Sequence, residues 1–176
     1  MGSLQQRGRI VELLVARITG ARYVATLDVI AGVATAGVPW AAWVADRLGK
    51  PMAYVREAVK GHGKRKQVEG GVAPGQMAIV VEDLTSTGGS TLNAAQALRQ
   101  LGARADHCFS IFTYDLPQVR DAFYRAGVEL VSLCGISTLL EVATTSGQIT
   151  GEEAFAVREW LEKGAMAASQ VDKANP

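Results

Sequence analysis

The chain has 176 residues, of which 48% are hydrophobic, and this size and composition favour a single folded domain with a real core. Lys and Arg number 18 against 17 Asp and Glu, and this near balance of charge argues against nucleic acid as the main partner. No apolar run approaches the ~20 residues that a membrane-spanning helix needs, and the N-terminus lacks the apolar core of a signal peptide, so we expect a cytoplasmic protein with no membrane partner.

Helical and strand patterns alternate from the start of the chain. Apolar residues at helical spacing predict a first helix over residues 7–18. A short apolar run with β-branched side chains, 28–34, predicts a strand, and residues 38–50 predict a helix with proline in its first turn and glycine near its end. Residues 51–57 predict another strand. A basic, glycine-rich segment, 57–75, is then expected to form a long loop.

The second half of the chain repeats this alternation with longer apolar runs. Residues 76–84 predict a strand, 89–103 a helix, 105–114 a strand, 116–127 a helix and 128–135 a strand. The remaining predicted elements are two helices, at 137–147 and 150–164.

Strands that alternate with helices are typical of an α/β fold with a mainly parallel sheet flanked by helices. We expect one domain over residues 1–164 and a flexible tail over 165–176. In such a fold, ligands bind beyond the carboxyl ends of the strands. The segment "VVEDLTSTGGST", residues 80–91, starts in one of these strands and leaves it at that edge.

Two acids, Glu82 and Asp83, come at the end of this strand. Adjacent strand residues point to opposite faces, so only one acid can face a given ligand unless the backbone turns at once. Two neighbouring carboxylates also repel each other, which raises one pKa unless a cation is near. A partner that is cationic or that donates hydroxyl groups would relieve the repulsion.

The residues that follow the acids supply hydroxyl groups, glycines and the N-terminus of a predicted helix. Unpaired N–H groups and the helix dipole make such a loop a ready anion site. The Walker A lysine is missing, so this is not a Walker A loop, and the lack of a GxGxxG pattern disfavours a dinucleotide-binding fold. The alternative is a plain strand–turn–helix whose Ser and Thr cap the helix. The acids and the loop together indicate a ligand with a phosphate at one end and hydroxyl groups, or a metal, close to it. A ribose 5-phosphate fits this description.

The stretch "AIVVEDLTSTGGST" resembles the phosphoribosyl-pyrophosphate signature of the type I phosphoribosyltransferases. The block from Asp28 to Gly70 is similar to the orotate phosphoribosyltransferases over its whole length, and "IFTYDLPQ" resembles their bacterial branch. The resemblance covers residues 28–163. It implies a type I phosphoribosyltransferase-like fold and the transfer of a phosphoribosyl group to orotate.

The resemblance also implies a set of site residues. Glu82 and Asp83 would hold the ribose hydroxyls, residues 86–90 the 5-phosphate, and residues 34–37 pyrophosphate. Arg56, Lys60 and His62 match the family's R-x-x-x-K-x-H pattern. The implied catalytic residues are Lys60, His62, Glu82 and Asp83. The implied substrate-binding residues are Arg56, Lys60, His62, Glu82, Asp83, Leu84, Thr85, Ser86, Thr87, Gly88, Gly89, Ser90, Thr35, Ala36 and Gly37.

The family further implies Mg²⁺ carried on the pyrophosphate rather than in a protein cage, and a homodimer. In that dimer the loop with Lys60 and His62 would close over the active site of the neighbouring subunit. The family's N-terminal hood segment covers the base. Nothing before Asp28 resembles it, so we expect this chain to lack the hood.

Some alternatives stay open on the sequence alone. One is transfer to a purine or another base, and another is a non-catalytic protein that senses phosphoribosyl pyrophosphate. Tyr54 and Tyr114 end predicted strands and are candidates to line the site. Trp40 and Trp43 are expected in the core or in a dimer interface. The two cysteines are isolated, which suggests neither a zinc site nor a disulfide.

Overall fold

The computed structural model describes residues 3–21, 24–56 and 66–173. The strands are β1 Leu27–Val33, β2 Met52–Val55, β3 Val68–Gly70, β4 Met77–Thr85, β5 Arg104–Thr113 and β6 Glu129–Gly135. The helices are α1 Leu4–Thr19, α2 Gly37–Leu48, α3 Gly89–Gln100, α4 Pro117–Ala126, α5 Ile136–Thr145 and α6 Gly151–Lys173. The 3₁₀ turn Val24–Thr26 precedes β1.

The strands form one six-stranded sheet in the order β3-β2-β1-β4-β5-β6. Every pairing is parallel except that of β2 with β3, which is antiparallel. The predicted mainly parallel α/β fold is therefore confirmed. The central strand β4 is buried over Met77–Glu82, as expected for a strand that is covered on both faces.

Alternate residues of the central strands point into two separate cores. Val29 and Val80 pack with α3 and α4 on one face of the sheet. Ile30 and Ile79 pack with α1 and α2 on the other face. The two-residue period of the strands thus produces a layer of helices on each side. Trp40 and Trp43 are half-buried beside the second core, with their rings edge to face at 5.2 Å.

The expected long loop contains a short strand, β3, and here the prediction of a loop over 57–75 was wrong. Its three residues pair with β2, and Tyr54 lies opposite Glu69. Gly70 has φ 114°, and a Cβ there would lie 2.7 Å from the Met52 carbonyl oxygen. A strand this short, bounded by glycine, has too few residues to show a period of two.

The last helix also differs from its predicted extent. α6 continues to Lys173, past the predicted end at residue 164. The flexible tail at 165–176 stays a prediction. Within the described ranges, no helix combines the length and the apolar character needed to cross a bilayer.

Candidate phosphosugar site at the carboxyl edge of the sheet

The loops after β1 and β4 meet at the carboxyl edge of the sheet because these strands are parallel neighbours, with Gly32 beside Val81. The contact is close enough to require glycine at the start of α2. A Cβ on Gly37 would lie 2.6 Å from the Val81 carbonyl oxygen and 3.2 Å from Glu82 Oε1. The acids at the end of β4 therefore sit against the N-terminus of α2.

Glu82 is buried, with 6% of its surface exposed. Its Oε1 accepts a hydrogen bond of 3.1 Å from the Asp83 backbone N–H, and its Oε2 accepts one of 3.5 Å from the Thr91 hydroxyl in α3. Burial raises the pKa of Glu82 from its ordinary 4.5 to about 8, and the side-chain hydrogen bond and the charge of Asp83 act in the same direction. A rise in one pKa was predicted, but its main cause is desolvation rather than repulsion between the acids.

The two acids have unequal access to solvent. Asp83 is half-buried, whereas Glu82 is enclosed between the ends of α2 and α3. Asp83 is thus the more accessible carboxylate for a ligand that approaches from solvent. Leu84, the next residue, is 39% exposed.

The last residue of β4 before the loop to α3 is Thr85, which is 1% exposed. Its hydroxyl makes no hydrogen bond within the part of the chain that the structure describes. Ser86 and Thr87 are exposed, as are Gly89 and Ser90. This loop offers hydroxyl groups to solvent beside the helix.

The N-cap residue of α3 is Gly88, which has φ 80°. Glycine has no side chain that could accept from the first N–H groups of the helix. The alternative in which Ser or Thr caps this helix is therefore wrong. A Cβ on Gly88 would lie 2.5 Å from Phe123 Cε2, so the loop is also packed tightly against α4.

The helix α2, which follows the loop after β1, also lacks a side-chain cap at its N-terminus. Its N-cap residue is Ala36, whose methyl group cannot accept a hydrogen bond. Thr35 and Ala36 are exposed, and the Ala34–Thr35 peptide bond is cis. In α2 the Val38 N–H donates to the Thr35 carbonyl at 3.3 Å and Pro39 has no N–H, so Ala36 and Gly37 are the N–H groups that its first turn can offer to a ligand. Two helix N-termini without side-chain caps, those of α2 and α3, thus lie on either side of the acids, and each favours an anion.

A cavity of about 840 Å³ opens beside the β1–α2 loop. Its lining residues are Ala34, Thr35, Val38, Pro39, Tyr54 and Arg56. The sequence made Tyr54 a candidate to line the site, and in the structure it lines this cavity. Val38 and Pro39 were not predicted there, because their role depends on how α2 packs against β2.

Arg56 follows β2 and reaches the cavity next to Thr35. Its Nη2 donates a hydrogen bond of 2.7 Å to the Tyr54 hydroxyl and lies 3.6 Å from Glu69 Oε1 on β3. The hydrogen bond to Tyr54 is the largest cause that raises the pKa of Arg56 above its ordinary value. Lys60 and His62 lie outside the described residues.

The other tyrosine candidate, Tyr114, follows β5, and its backbone N–H donates to the Thr85 carbonyl at 3.3 Å. Among the described residues, no group of three or more His, Cys, Asp or Glu side chains is placed to hold a metal ion. Cys108 and Cys134 are free thiols.

The sequence of this chain matches a known protein family. Residues 2–115 match the family model of the phosphoribosyl transferase domain. Orotate phosphoribosyltransferase from Listeria monocytogenes is 46% identical over 134 residues, which is 76% of this chain and 64% of that protein. The enzyme of the same name from Oceanobacillus iheyensis is 49% identical over 126 residues, covering 72% of this chain and 62% of that protein. This chain thus spans a little under two thirds of the length of these relatives.

Among solved structures, the crystal structure of orotate phosphoribosyltransferase from Aeropyrum pernix is similar, with a TM-score of 0.71 and 35% identity. The match covers 80% of this chain and 77% of that one.

Proposed function

Because the chain belongs to the phosphoribosyl transferase domain family, we propose that it transfers the phosphoribosyl group of 5-phosphoribosyl 1-pyrophosphate to orotate. The products would be orotidine 5-phosphate and pyrophosphate, a step of pyrimidine nucleotide synthesis. One observation carries this proposal: two uncapped helix N-termini flank a pair of carboxylates. The names of the relatives supply orotate as the base.

The α3 N-terminus is proposed to bind the 5-phosphate. Ser86, Thr87 and Ser90 would donate hydroxyl hydrogen bonds, and Gly88 and Gly89 would leave their N–H groups open to the phosphate oxygens. Anions are stabilised at such a terminus by ~0.3–1 kcal/mol for each exposed contact, and several contacts together hold a phosphate.

The carboxylates are proposed to bind the ribose hydroxyls. Asp83, half-buried at the edge of the cleft, would accept a hydrogen bond from one hydroxyl. Glu82, which is buried, would bind the other hydroxyl. Because the pKa of Glu82 is raised to about 8, its neutral form could donate a hydrogen bond as well as accept one. As the bond from C1 to pyrophosphate breaks, positive charge develops on the ribose ring, and a nearby carboxylate stabilises that charge.

The leaving group is proposed to lie in the cavity beside α2. The backbone N–H groups at Thr35–Gly37 and the guanidinium of Arg56 would receive its negative charge. Lys60 and His62, by resemblance, would add donors there.

Magnesium fits this site as a cation carried by the substrate. Mg²⁺ commonly keeps several waters and binds through one or two carboxylates plus substrate phosphates, and Asp83 is a described carboxylate within that pattern. When bound, it would neutralise charge on the pyrophosphate. A cytoplasmic homodimer with shared active sites belongs to the same proposal.

The test is a substrate assay. We expect pyrophosphate release with orotate and phosphoribosyl pyrophosphate, and none above background with adenine, guanine or xanthine. Calorimetric binding of phosphoribosyl pyrophosphate without turnover on orotate would contradict the transferase and favour a sensor. Turnover with a purine instead would contradict orotate as the base.

A further inference from the structure

Glu69 stands beside the guanidinium that faces the cavity, although nothing in the signature motifs marks it. It lies on the edge strand β3, in register with Tyr54 of β2. Its Oε1 is 3.6 Å from Arg56 Nη2, and the two side chains are 42% and 40% exposed. An ion pair this long and this exposed is weak, so another anion can replace Glu69.

Arg56 is held in place by a second and tighter contact. The Tyr54 hydroxyl accepts from Nη2 at 2.7 Å, and the guanidinium carbon lies 5.3 Å from the centre of the Tyr54 ring. The guanidinium would therefore keep its position if Glu69 moved away. Its Nε is buried and makes no hydrogen bond within the described ranges, so it does not face an incoming anion. Of the five guanidinium N–H donors, the hydrogen bond to Tyr54 uses one, which leaves donors on the Nη atoms for another anion.

We propose that Glu69 is a built-in competitor for the site of the leaving pyrophosphate. In the free protein its carboxylate neutralises part of the charge of Arg56, and the pyrophosphate group takes its place when substrate binds. Glu69 then remains within a few ångströms of a multiply charged anion and repels it. The carboxylate thus limits the affinity for pyrophosphate and favours its release. This inference rests on the proposed function, which puts pyrophosphate beside Arg56.

The test replaces the carboxylate by its neutral isostere, Glu69→Gln. We expect the dissociation constant for pyrophosphate, measured by calorimetry with excess Mg²⁺, to fall by about 2- to 5-fold, which is the range of an exposed ion pair. The affinity for orotate should not change. A tighter complex is not what damage to the structure produces, so this readout separates the proposed role from a structural one.

A matched control is Glu129→Gln, which removes a glutamate from the other edge strand, β6, where it contacts His107 at 3.1 Å. It should leave pyrophosphate affinity as in the wild type. If the wild type binds pyrophosphate but Glu69→Gln binds it equally or more weakly, the inference is overturned while the proposed function stands. If the wild type does not bind pyrophosphate, the proposed function itself fails. Glu69→Thr, with a side chain suited to a strand, serves if the glutamine variant does not fold.

Discussion

The Tyr54 hydroxyl accepts a 2.7 Å hydrogen bond from the Arg56 guanidinium, two residues further along the chain. β2 ends between them, so the ring and the guanidinium lie over the same cavity. This contact connects the end of β2 to the positive charge that the proposed mechanism needs for the leaving group.

The first prediction removes that acceptor with Tyr54→Phe. The ring stays, but Arg56 loses the partner that fixes its orientation. We expect KM for phosphoribosyl pyrophosphate to rise about 5-fold, which corresponds to the ~1 kcal/mol of an average hydrogen bond, with KM for orotate unchanged. Steady-state kinetics measure both. Tyr124→Phe, at a residue that is 87% exposed, is the matched control. Equal KM values for Tyr54→Phe and wild type would show that Arg56 does not depend on Tyr54.

The second prediction concerns the pH dependence of stability. The pKa of Glu82 is about 8 in the folded chain against an ordinary 4.5, so the folded state retains a proton that the unfolded chain releases. The resulting stability is fully present below pH 4.5 and is lost as the pH rises through 8. We expect the wild type to lose about 2 to 4 kcal/mol relative to Glu82→Gln between pH 5 and pH 8.

Urea denaturation of both proteins across this pH range measures the difference, and other titrating groups cancel in the comparison. Glu152→Gln, at an exposed glutamate in the first turn of α6, should follow the wild type at each pH. A gap between wild type and Glu82→Gln that does not change with pH would mean that Glu82 is ionised in the fold at neutral pH.

The main features of the fold were predictable because they depend on local patterns. Runs such as Ala78–Val81 are typical of central strands in a chain of alternating elements, and the acids that follow such a strand then emerge at the ligand edge. The unequal burial of the acids was not predictable. It arises because Gly37 and Thr91, 54 positions apart, close over Glu82 from two helices. Glu69 was missed for the same reason, since its contact with Arg56 exists only once β3 pairs with β2.

The third prediction tests the turn before α3 with two neighbouring glycines. Gly88 has φ 80°, and an added Cβ would meet the Phe123 ring at 2.5 Å. Gly88→Ala should therefore destabilise the fold by about 2 kcal/mol or more, from backbone strain and overpacking. At Gly89 the nearest atom to an added Cβ is Thr87 Oγ1 at 3.9 Å, so Gly89→Ala should leave stability unchanged or slightly raised. Thermal and urea unfolding compare the pair, and a Gly88→Ala variant as stable as Gly89→Ala would show that the turn accommodates a side chain at Gly88.

The last prediction addresses the shared active site. Lys60→Ala should lower turnover by about 100-fold or more with modest loss of substrate affinity, because one preorganised charge on the leaving group is worth ~3 kcal/mol. Asp83→Asn should also be nearly inactive. If the loop with Lys60 serves the partner subunit, a hybrid dimer of the two variants contains one site with Asp83 and Lys60 both intact. Mixing the variants in equal amounts after joint refolding should then restore about a quarter of wild-type activity, since half of the two-fold dimers are hybrids and each has one working site.

If each loop serves its own subunit, every site keeps one defect. The mixture would then show only the sum of the separate variants, which would rule out the shared site while leaving the role of Lys60 to be judged from its own turnover.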